Sequence, residues 1–115
     1  MKTNPQQITL VDHRKLTRFV AAAFEKLGVS PQDAAIAANV LVTADLRGVD
    51  THGVIRFNPG SWYVKWLRNG EMSRAPEIRI ISDAGSTALL NGDRGLGMVV
   101  GHRAMELAIE KAKVS

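Results

Sequence analysis

The stretch Asp50-Thr51-His52-Gly53-Val54-Ile55-Arg56 puts a hydroxyl, an imidazole and a guanidinium close together in the chain. An imidazole with an unperturbed pKa near ~6.5 gives or takes a proton at neutral pH, and the planar fork of a guanidinium matches a carboxylate. On a helix, residues four apart share a face, so a helical segment here would aim His52 and Arg56 into one cleft with Thr51 beside them. That set suits a small substrate carrying a carboxylate next to an exchangeable hydroxyl. Gly48 and Gly53 fit, because glycine permits close backbone approaches that a side chain would block. The same residues also have a plainer reading, a structural junction at a helix end. Asp45, Arg47 and Asp50 would then be surface charges whose local pairings contribute little.

The elements that must position this stretch are readable on either side of it. Residues 1 to 9 are polar, contain Pro5 and have no helical period, which predicts an extended arm. Asp12 can cap a first helix whose apolar face is Leu16, Phe19, Val20, Ala23, Phe24 and Leu27, with Gly28 as its stop. Ser30-Pro31-Gln32-Asp33 opens a second helix with a hydroxyl N-cap, proline at the first position and an acid in the first turn. Its alanine-rich body lets the first helix approach closely until Gly48 ends the pattern, and the two should form a helical hairpin. A third helix is expected within Ser61 to Asn69, ended by Gly70. After Pro76 the pattern predicts a β-hairpin turning at Asp83-Ala84-Gly85, then a helix from about Leu96 to Lys113 whose apolar and charged faces separate. The expected fold class is α+β, mostly helical and not of the Rossmann type.

Length and composition narrow the classes. The 115 residues, 45% apolar and 23% charged, have the composition of one globular domain. No cysteine is present, which excludes disulfides and thiolate metal sites. The net charge of +4 comes from 15 basic against 11 acidic residues. The basic residues are scattered among acids, which favours a solvated surface over a nucleic-acid stripe. The alternative is a stand-alone basic helical module binding nucleic acid, which would bind in a salt-dependent way. With no signal-peptide h-region and no run near the ~18 apolar residues of a membrane span, the chain is expected to be cytoplasmic, with no membrane partner. His13 and His102 stand apart from any acid cluster at ligand spacing, so no metal site is expected. Gly95-Leu96-Gly97 followed by Gly101 mimics a dinucleotide fingerprint, but its third glycine falls one position late and no βαβ unit surrounds it. It is assigned no cofactor-binding role.

The runs ADLRGVDTHGVIRF, YVKWLRNG and ALLNGDRGLGMVVGHRAMELAIEKAK resemble the N-terminal part of the type-2 malate/L-lactate dehydrogenase family, which also includes ureidoglycolate and sulfolactate dehydrogenases and 2,3-diketogulonate reductases. The likeness extends from the first helix to Lys113. It implies an oxidoreductase interconverting a 2-hydroxyacid and a 2-oxoacid with NAD or NADP, usually as a homodimer. By that resemblance His52 is the catalytic proton donor or acceptor, while Thr51, commonly serine in the family, and Arg56 are substrate-binding, Arg56 holding the carboxylate. One departure is visible. The family's tyrosine usually follows that arginine by four residues, whereas Gly60 stands there and Tyr63 comes three later, as if residues were inserted around Pro59-Gly60. Family members are several times longer, and the likeness ends before their nicotinamide-binding domain and before a segment that carries a second histidine and a lysine near the substrate. Residues 1–115 are thus expected to be an N-terminal portion, inactive alone, that stops abruptly at Ala112-Lys113-Val114-Ser115.

Overall fold

The computed structural model describes residues 7–114. Most of the expected N-terminal arm, residues 1–6, lies outside the described residues, and residues 8–12 carry neither helix nor strand. Helix α1 spans His13–Lys26, and the Asp12 carboxylate accepts the Arg14 and Lys15 amides at its start, each at 3.0 Å. The Lys15 amide above all holds the Asp12 carboxyl below its ordinary 3.8, because these bonds favour the charged form. Gly28, at φ 93, turns the chain out of the helix in the left-handed region open to glycine.

Helix α2 spans Pro31–Leu46; Ser30 Oγ accepts the Asp33 amide at 3.2 Å and Pro31 occupies the first turn, as the sequence predicts. The two helices lie against each other as a hairpin. Small side chains explain the closeness: Ala34, Ala37 and Ala38 of α2 are fully buried in one cluster with Val20 and Phe24 of α1. Burying Phe24 alone contributes about 1.5–3 kcal/mol. Helix α3, Trp62–Asn69, is capped by Ser61 and closed by Gly70 at φ 81, and its Leu67 enters the same core. Arg74 secures that end, Nε donating to the Leu67 carbonyl at 2.9 Å.

Strands β1 (Arg79–Ala84) and β2 (Thr87–Asn91) form an antiparallel pair with a bulge between Ile80 and Ser82. The turn falls later than expected. Ala84 still pairs with Thr87, and the chain reverses at Gly85-Ser86, where Gly85 supplies a φ of 62 that Ala84 could not adopt without strain. Helix α4, Gly97–Val114, follows. Its start packs inward through Val99, and Arg103 reaches the buried Asp33 of α2 at 2.7 Å. Further along, Lys111 holds the hairpin tip, pairing with Asp83 and donating to the Gly85 carbonyl at 2.8 Å. The face separation expected of α4 is incomplete, since Met105 and Ile109 stay exposed. Phe19 departs from its expected place in the core: 70% of it is exposed, because no element among the described residues covers that edge of α1.

The radius of gyration is 16.3 Å, against about 13 Å for a compact chain of this length. Helices close on a core at one end, and the hairpin with the outer half of α4 accounts for the elongation. The observed fold is the mostly helical α+β arrangement expected, without a Rossmann unit. Among the described residues no helix is long and apolar enough to cross a membrane.

Candidate active site

Past α2, Gly48 at φ 78 redirects the chain and the stretch 50–56 forms two single-turn 3-10 helices, Asp50–His52 and Val54–Arg56. One continuous helical face through His52 and Arg56 is therefore not what aligns them. Gly53, at φ −91 and ψ −147, breaks the path between the turns. Its backbone is buried against α2: the Asp45 carboxylate accepts the Val54 amide at 3.0 Å, and a Cβ on Gly53 would overlap that carboxylate. Glycine is needed here for close approach. Asp45, which the sequence offers as a surface charge, fixes the turn to the helix. On the far side the Phe57 ring lies 4.3 Å from the core ring of Phe24.

Held at both ends, the turns deliver Thr51, His52 and Arg56 to the wall of one cleft of about 670 Å³. Ile55 lies beside them, and Asn58, Trp62, Tyr63 and Trp66 come from the following loop and α3. Thr51 Oγ1 is 2.9 Å from His52 Nδ1, and Arg56 Nε donates to the Thr51 carbonyl at 2.7 Å. The backbone bond ties the guanidinium down by one nitrogen. Both terminal nitrogens, with four N–H donors, have no protein partner among the described residues, and neither has His52 Nε2. Asn58 stiffens the next bend by donating to the Ile55 carbonyl at 2.7 Å and accepting the Gly60 amide at 2.9 Å.

Tyr63 lines the cleft despite its displaced position in the sequence. Ser61 starts α3, whose Tyr63 and Trp66 line the cleft while Val64 and Leu67 are buried. The spacing of Val64 and Leu67, three apart on one helical face, was the signal that could have set Tyr63 and Trp66 on another. His13 opens α1, and His102 pairs with Glu106 at 3.3 Å on the exposed side of α4; neither lines the cleft. Gly95 is a packing residue, since a Cβ there would meet Pro76 Cγ at 2.7 Å. No cluster of three metal-ligating side chains occurs among the described residues. The Rossmann fingerprint needs a strand, a glycine turn and a helix in one parallel unit, and the single sheet among the described residues is a two-stranded antiparallel hairpin.

Residues 11–115 match the family model for malate/L-lactate dehydrogenase, and the chain belongs to that family, corresponding to its N-terminal portion. It is 48% identical over 99 residues to a malate dehydrogenase of Pyrococcus horikoshii and 44% identical over 96 residues to an L-sulfolactate dehydrogenase of Methanocaldococcus jannaschii. These alignments cover 86% and 84% of this chain but 27% of each relative, so the chain spans about a quarter of their length. The solved structure of the Pyrococcus horikoshii malate dehydrogenase superposes with a TM-score of 0.87 at 46% identity, covering 93% of this chain and 30% of that one.

Proposed function

We propose that this chain forms the substrate-facing wall of an NAD- or NADP-dependent 2-hydroxyacid dehydrogenase, with a malate-, lactate- or sulfolactate-like substrate, in a longer enzyme that works as a homodimer. One observation carries the reading: Thr51, His52 and Arg56 share one cleft wall, with His52 Nε2 and the outer guanidinium unpaired. The nicotinamide cofactor, held mainly by parts of the enzyme beyond these residues, supplies or accepts the hydride.

Arg56 takes the substrate carboxylate on its two terminal nitrogens, and its Nε bond to the Thr51 carbonyl keeps that fork from rotating away. His52 exchanges the proton of the substrate oxygen through Nε2. In the imidazolium, Nδ1–H donates to Thr51 Oγ1 while Nε2–H faces the 2-oxo oxygen. Transfer of that proton leaves the neutral Nδ1–H form with its bond to Thr51 intact, so the ring need not turn over during a cycle. In the reverse direction the Nε2 lone pair receives the hydroxyl proton. Thr51 engages Nδ1 in either protonation state and leaves Nε2 for the substrate.

The test joins this chain to the remainder of the Pyrococcus horikoshii malate dehydrogenase and follows NADH and NADPH oxidation with oxaloacetate, pyruvate and sulfopyruvate. The 115 residues alone are expected to turn over nothing. In the joined enzyme His52→Gln should lower kcat about 10²- to 10⁴-fold, and Arg56→Gln should raise KM about 10- to 100-fold. A His52→Gln enzyme as fast as its parent sinks the proton-exchange role, and turnover by the isolated chain sinks the claim that the site is partial.

A further inference from the structure

The carboxylate behind the candidate active site sits where helix chemistry argues against it. Asp45 is the penultimate residue of α2, beside the negative end of the helix dipole, and no basic side chain occupies that last turn. An acid there disfavours the helix, so local structure does not account for this residue. The contact it makes does. The turn Val54–Arg56 begins at Gly53, which has no side chain with which to cap it. Asp45 Oδ2 accepts the Val54 amide at 3.0 Å and so supplies the missing cap from nine residues away. Its backbone carbonyl accepts the Gly48 amide at 3.0 Å, so a main-chain and a side-chain oxygen of one residue hold both ends of the segment that carries Thr51 and His52. A single 3-10 turn has few bonds of its own, here the Arg56 amide to the Gly53 carbonyl at 3.0 Å and the Phe57 amide to the Val54 carbonyl at 2.8 Å. Gly53 is buried and a Cβ on it would overlap the carboxylate, so this contact is internal and does not depend on an open surface.

We propose that Asp45 is a positioning residue for the candidate active site: as the remote cap of the Val54–Arg56 turn, it sets the angle at which Arg56 meets the substrate carboxylate. The kinetic consequence rests on the dehydrogenase reading above, whereas the hold on the turn does not. Asp45 does not line the cleft and acts through Arg56, whose Nε bond to the Thr51 carbonyl carries any displacement of the second turn into the first. The turn needs an acceptor oxygen and not a charge. Asp45→Asn keeps an amide oxygen in the same place, and Asp45→Ala has none.

The test uses the full-length enzyme that carries these residues as its N-terminal portion. Hydrogen–deuterium exchange read by mass spectrometry reports on the turn directly. Asp45→Ala should speed exchange of the amides of residues 54–57 by about tenfold or more with those of α3 unchanged, while Asp45→Asn stays within about threefold of the parent. With oxaloacetate, pyruvate and sulfopyruvate as substrates, Asp45→Ala should lower kcat/KM about 10- to 100-fold, mainly through KM, and Asp45→Asn should restore it. In an Arg56→Gln background Asp45→Ala should add less than about a threefold further loss, because the guanidinium that transmits its effect is gone. A residue that only stabilises the fold would cost the same factor in both backgrounds. Should Asp45→Ala fail to fold, Asp45→Glu, whose longer side chain carries the carboxylate past the amide, takes its place with the same readings. The proposal is overturned if exchange at 54–57 is unchanged, if Asp45→Asn behaves like Asp45→Ala, or if the kinetic loss keeps its full size without Arg56. No turnover of any of the three oxoacids, in an enzyme whose exchange responds as stated, would count against the dehydrogenase reading alone and uphold the hold of Asp45 on the turn.

Discussion

The helical end and the β-hairpin end of this molecule are built by different rules. In the helices, Val20, Phe24, Ala34, Ala37, Ala38 and Leu67 are all fully buried, and each is fixed by neighbours on another helix. In the hairpin every residue of β1 is exposed, Ile80 and Ile81 among them, and the tip is held by Lys111. An isolated two-stranded hairpin is marginal in water. The contrast shows that packing sets the shape of the helical end, whereas the hairpin takes its form from turn chemistry, strand pairing and a few polar ties.

The comparison can be broken or sharpened by substitution. The largest effect is expected inside the helices: Phe24→Ala should cost about 3–5 kcal/mol in chemical denaturation and collapse the ring contact that anchors Phe57. Next, Arg103→Met strands the buried Asp33 carboxylate without its partner and should cost about 2–3 kcal/mol, with Asp33→Asn recovering part of it in the double variant. Gly53→Ala sits where α2 meets the site and should cost about 1–2 kcal/mol by displacing Asp45. Its particular signature is a shift of the Val54 amide resonance. At the other end Ile81→Ser, on the bulge of an exposed strand, should change stability by less than about 0.5 kcal/mol. A loss there as large as that of Phe24→Ala would mean that the hairpin is packed in solution after all.

The same division decides what the sequence could reveal. Helix ends were legible because Asp12, Ser30-Pro31 and Gly70 act on backbone groups within their own turn. The conformation at 50–56 was not, because it depends on Asp45, nine residues before the amide it accepts, and no local period reports that contact. Thr51, His52 and Arg56 could be singled out by chemical type, but the route that unites them is two short turns about Gly53 instead of one helical face. The exposure of Phe19 was hidden for the opposite reason. Helical periodicity groups residues by face but says nothing about whether another element covers that face.

The Asp45–Val54 bond has a last implication, for where the chain tolerates changes in length. Residues 46–53 span two fixed points, the end of α2 and an amide anchored back onto it, so one residue more or fewer would rotate His52 and Arg56 off the cleft wall. Beyond Arg56 the chain is held instead by the Phe57 ring against Phe24 and by Asn58, until Ser61 starts α3 and brings Tyr63 to the same wall.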